Sequence, residues 1–109
     1  MIKEFIIILL IIHGAIHLLG FAKGFGVKEL DQFENMISKP YGLLWLLCAI
    51  LFIASALLLL IGISFWIIVA IGAVLLSQAL IIRFWLDAKT GAVINAILII
   101  AIIVYFNLQ

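Results

Sequence analysis

The chain has 109 residues, 70% of them hydrophobic and 10% charged, with a net charge of +1 and a mean hydropathy of +1.54. A soluble domain is nearer half apolar and a quarter charged, so the surplus apolar surface is expected to face lipid. The small net charge and the lack of a basic stripe argue against a nucleic-acid partner, and the single cysteine, Cys48, excludes both an internal disulfide and CxxC chemistry.

A membrane helix needs about 20 mostly apolar residues rising about 1.5 Å each. Ile2 to Gly20 supplies the first such segment. Its place behind Met1 invites comparison with a signal peptide, but no small-x-small cleavage site follows it and three more apolar segments come later. Phe21 to Lys39 is the first polar connection. Within it Val27, Leu30, Phe33 and Ile37 fall on one half of a helical wheel, and Lys28, Asp31, Gln32, Asn35 and Ser38 on the other. That pattern predicts a short interfacial helix between helices one and two. Pro40 suits the first turn of helix two. The 40 residues from Leu43 to Ile82 carry no charge and are too many for one span, so the chain must fold back within them. The expected turn is Ile61-Gly62-Ile63-Ser64, with glycine closing one helix and serine capping the next. This predicts helix two over 41–61 and helix three over 64–83. Trp66 and Trp85, 19 residues apart, would stand about 28 Å apart along a helix, one anchor at each membrane face. Asp87-Ala88-Lys89-Thr90-Gly91 predicts a tight turn, with Asp87 or Thr90 capping a fourth helix over 92–106.

No repeat, low-complexity tract or domain boundary divides residues 1–109. Lipid offers backbone groups no partner, and the alternation of a barrel strand is absent, so every span is expected to be helical. The expected fold is all-α, an integral membrane antiparallel four-helix bundle. In an up-down order, loops one and three share one face with Lys23, Lys28, Lys39, Arg83 and Lys89, whereas the other face has only Lys3 and the amino terminus. The bias predicts a cell (inner) membrane protein with loops one and three cytoplasmic and both termini outside.

Four polar residues sit where lipid should exclude them. His13 and His17 share one face of helix one, Gln78 lies in helix three and Asn95 in helix four. Counting back from the loop-one face puts His17 about 5 Å deep, His13 about 10 Å, and Gln78 and Asn95 about 7 Å each. Asp87, Lys89 and Lys39 rim that face. Polar groups inside a membrane face the bundle interior and mark functional sites, or else hold helices together by hydrogen bonds. HxxxH is also a metal-ligand spacing on a helix, which makes His13 and His17 candidate ligands for a metal ion or haem. The Glu of HExxH is missing, so a zinc-protease motif is excluded. Both rings leave one side of one helix, so they cannot ligate haem from both faces within one chain. Cys48, Ser55 and Gly62 recur every seven residues, and Ala70, Ala73 and Ser77 form a similar series; both read as small-residue packing faces. Phe21, Phe25, Tyr41 and Trp45 read as an interfacial belt, with Arg83 reaching to the headgroups beside Trp85.

Taken together, His13-Gly14-Ala15-Ile16-His17-Leu18-Leu19-Gly20-Phe21, Ser38-Lys39-Pro40, and Trp85-Leu86-Asp87-Ala88-Lys89-Thr90-Gly91 with Asn95 resemble the HGxIHxxGF, SKP and W-x-DAK-x-G signals of a group of uncharacterised bacterial four-helix membrane proteins and modules. The turn departs from that pattern, which has Phe before the Gly and Thr after it, where this chain has Thr90 and Ala92. A fainter similarity links the His-Gly of helix one to DoxX-like membrane proteins. The resemblance implies the fold and supplies no activity.

The sequence therefore points to a small multi-pass membrane protein that acts as a binding or accessory subunit. Its partners are expected to be the bilayer and either copies of itself or a larger membrane complex. The alternatives are a metal- or haem-binding protein using His13 and His17, or a small oligomeric transporter. Short connections leave little room for an active site, which argues against an enzyme. The absence of Asp, Glu or Lys from the middle of any span argues against an ion-coupled pump.

Overall fold

Helix α1 spans Ile2–Gly24, α2 Lys39–Leu60, α3 Trp66–Arg83 and α4 Trp85–Leu108. These come from a computed structural model that describes residues 1–24 and 39–108, without the side chains of residues 23, 24, 39 and 86–88. The expected interfacial helix falls on residues outside that description. All four helices are long and apolar enough to cross a membrane.

The helices stand in a ring. α1 lies between α2 and α4, α3 lies between the same two, and α1 and α3 meet only across the diagonal. Successive helices run antiparallel, as their contacts show. Gly20 near the end of α1 lies under the Trp45 ring near the start of α2. Tyr41 and Phe84 stack edge to face at 5.2 Å, and Trp66 at the start of α3 meets Tyr105 near the end of α4 at 5.9 Å. Ile6, Leu10, Phe52 and Leu98 are wholly buried and fill the centre. Ile8, Ile11 and Ile12 turn outward. α4 is the least enclosed, with 22% of its span buried against 39% for the other three. An apolar cleft of about 290 Å³ opens between α3 and α4, lined by Ile71, Val74, Leu75, Ile99, Ile102 and Ile103.

The turn after α2 lies where the sequence places it, and Gly62 is the reason. At φ +82° it is the one described residue in the left-handed region. The Ile63 amide donates to the Leu58 carbonyl at 2.9 Å and the Gly62 amide to Leu59 at 3.2 Å, the paired bonds of a Schellman ending. Ser64 does not cap α3. The residue before the helix is Phe65, without a side-chain cap bond, and overlapping backbone turns from Ile63, Ser64 and Phe65 carry the chain into the helix.

The largest departure is at the fourth helix. The expected turn at Asp87–Gly91 is helical, and α4 begins at Trp85 rather than Ala92. Phe84 alone breaks the path, with φ −117° and ψ 43°. Ala, Lys and Thr are all acceptable inside a helix, and one glycine costs only about 1 kcal/mol there. Gly91 serves packing instead of turning: a Cβ on it would lie 2.9 Å from Ile81 Cδ1 and 3.5 Å from His13 Cε1. Two aromatic assignments also change. Trp45 and Trp66 are both buried, whereas Trp85 is half-exposed. The Arg83 guanidinium lies over the rings of Tyr41 and Phe84, at 5.3 and 5.0 Å.

Candidate functional site

The polar residues of α1, α3 and α4 meet in one place. His13 Nε2 lies 2.8 Å from Asn95 Oδ1, and His17 Nε2 lies 2.8 Å from Ser77 Oγ. Asn95 Nδ2 is 3.1 Å from Ser77 Oγ and 3.2 Å from Gln78 Oε1. His17 Nδ1 is 2.8 Å from the His13 carbonyl one turn back. His13, His17, Ser77 and Asn95 are all buried, and Gln78 is half-buried. The spacing of α1 produces this arrangement, because residues four apart stand one above the other. One histidine reaches α4 and the other reaches α3. α2 supplies no polar side chain to the circuit. Instead Phe52 packs on both imidazoles, at 4.8 and 5.2 Å, and Trp45 packs on His17 at 5.0 Å.

The proton positions follow step by step from one carbonyl. The His13 carbonyl can only accept, so His17 carries its proton on Nδ1 and offers a bare lone pair at Nε2. Ser77 must therefore donate to His17. Ser77 Oγ also lies 3.4 Å from Asn95 Oδ1, but its single proton is already committed. It then accepts from Asn95, which sets the Asn95 amide nitrogen toward Ser77 and Gln78 and its oxygen toward His13. His13 must donate from Nε2, which leaves Nδ1 as a bare acceptor. The two histidines thus hold opposite tautomers, and the path returns to the residue at which it began.

Only one imidazole nitrogen is left over. His13 Nδ1 is buried and has no hydrogen-bond partner, and the same holds for the Trp45 indole nitrogen. Of the other residues the sequence singled out, Lys89 is exposed, and the side chains of Asp87 and Lys39 lie outside the described residues. Sequence reasoning took Ser77 for a packing residue. The depth count would have found it, since six residues before Arg83 is about 9 Å, inside the same slab. Cys48, from the other packing series, donates to the Ala73 carbonyl at 3.3 Å.

The chemistry open to these groups is narrow. Ser77 and His17 have the contact of a nucleophile and its base. Yet Ser77 is wholly buried and accepts from Asn95, so the contact reads as part of the circuit. Among the described residues no three His, Cys, Asp or Glu side chains converge as metal ligands. His17 has both nitrogens in hydrogen bonds, so His13 Nδ1 is the imidazole atom left without a partner. No family model, no curated protein and no solved structure matches the chain.

Proposed function

We propose that the chain is a multi-pass membrane protein that works as a small binding or accessory subunit, with its recognition site at the loop-one end of the bundle. Its long axis of 43 Å supports the bilayer reading, since a membrane with its headgroups is about 40–45 Å thick. One observation carries the site: the circuit leaves one buried acceptor, His13 Nδ1, without a partner, and His17 stands between it and the unpaired indole donor of Trp45. Buried polar atoms without partners are few in native proteins and often mark a role or a bound group. The ligand or partner would present a hydrogen-bond donor to His13.

A metal or haem is the second reading, and one feature favours it. Ligating imidazoles usually give their other N–H to an oxygen acceptor, as His13 does to Asn95. The remaining ligands would come from a bound molecule or another chain. A transporter is less well supported, because the buried layer of Ile6, Leu10 and Leu98 closes the bundle below the circuit.

The test is extraction from the source membrane with lipid retained, then native mass spectrometry and metal analysis. We expect a stoichiometric companion, whether small molecule, metal or protein, that His13→Phe loses while its helical content is kept. A wild-type protein that leaves the membrane with none of the three would sink the reading.

A further inference from the structure

At the opposite end of the bundle the four helix ends enclose a second cavity, of about 170 Å³, lined by Lys3, Leu59, Gly62, Ser64, Trp66 and Tyr105 among others. Its polar side chains are alike in one respect. The Lys3 ammonium, Ser64 hydroxyl, Trp66 indole and Tyr105 phenol can each donate, and none donates to an acceptor among the described residues. The carboxylate next to Lys3, that of Glu4, is exposed and paired with the amino terminus at 2.8 Å, so Lys3 makes no ion pair among the described residues. Lys3 is half-buried rather than free in solvent. The backbone adds to the same imbalance, because the amides of Ser64 and Phe65 precede the hydrogen bonds of α3 and have no acceptor. A concave mouth with a cation and several unpaired donors can hold an anion.

We propose that this mouth binds a phosphate-bearing anion, with Lys3 supplying the charge and Ser64, Trp66 and Tyr105 the hydrogen bonds. A phospholipid headgroup and free phosphate share that chemistry. The lipid source rests on the bilayer reading above; the anion site does not. The site is separate from the His13 end, so the failure of either leaves the other standing.

Native mass spectrometry of the detergent-solubilised full chain tests it, with phosphatidylglycerol, phosphatidylcholine or inorganic phosphate added. Phosphatidylglycerol should bind in preference to phosphatidylcholine, and Lys3→Gln should weaken it about tenfold, the loss of one charge-assisted bond. Lys89→Gln removes the same charge from the far end and should leave binding unchanged. Ser64→Leu, which fills the mouth without altering charge, should also weaken binding. Lys3-dependent binding of inorganic phosphate, with no preference between the two lipids, would assign the site to the free anion. The proposal is overturned if Lys3→Gln binds like wild type, or if Lys89→Gln loses as much as Lys3→Gln.

Discussion

Replacing Asn95 by leucine tests the circuit most directly. Asn95 makes three side-chain hydrogen bonds, to His13, Ser77 and Gln78, at 2.8, 3.1 and 3.2 Å. Interhelical bonds in membrane proteins average about 0.6 kcal/mol and reach about 1.7, so the three together contribute about 2 kcal/mol. Removal also leaves the His13 N–H in a fully buried position, where a stranded group costs about 1–3 kcal/mol. Changing tautomer gives His13 no escape, because Nδ1 has no partner either. In water the added apolar side chain would offset part of the loss, but lipid tails are as apolar as leucine and give no such return. We expect Asn95→Leu to lower stability by about 3–5 kcal/mol. His17→Phe should lose less, because the freed Ser77 proton can turn to Asn95 Oδ1 at 3.4 Å. The assay is reversible unfolding in mixed micelles followed by circular dichroism, with Ile103→Leu on the exposed side of α4 as the control. An Asn95→Leu protein as stable as that control would refute the reasoning.

Histidine ¹⁵N NMR in nanodiscs should show opposite neutral tautomers, Nδ1–H for His17 and Nε2–H for His13; matching tautomers would break the derivation. Gly20→Ala should destabilise by about 1–3 kcal/mol and alter tryptophan emission, since its Cβ would fall 2.3 Å from the Trp45 ring. Gly91→Ala crowds the tip of Ile81 and merely touches His13, so it should cost less than Gly20→Ala in the same unfolding assay; the reverse order would contradict the packing described. In a Cys48→Ala background, Asn107→Cys should react with an impermeant maleimide in intact cells and Thr90→Cys should not, if the basic face is cytoplasmic; the opposite pattern would invert the topology.

Much of the bundle was legible because composition alone dictates spans, and an uncharged run of 40 residues has to turn somewhere. Gly62 marked that turn because a left-handed residue is what the helix end required. The α3–α4 joint was not legible. Asp, Lys, Thr and Gly together read as a turn, and nothing local shows that Gly91 is wanted for its missing side chain. Depth counting put His13, His17, Gln78 and Asn95 in one slab, but depth gives no azimuth. It could not tell which histidine meets which helix, nor that α2 would wall the circuit with Phe52 and Trp45. Ser77 was hidden by its size, since a serine on a stripe of alanines looks like packing until a donor is needed opposite an imidazole.

The joint at Phe84 limits how the molecule can move. One residue gives no slack, so α4 cannot slide along α3 or change depth independently of it at that end. The circuit pins the same end through Asn95. What freedom α4 has is a swing of its far half, about the pivot, toward or away from α3. The cleft between Ile71 and Ile103 lies along that arc. At about 1.5 Å per residue α4 is ~36 Å long and α3 ~27 Å. If the chain spans a bilayer as proposed, a change in bilayer thickness would act on two tethered rods of unequal length. The cleft between α3 and α4 is then where that mismatch would be taken up, while the histidine end stays held by Asn95.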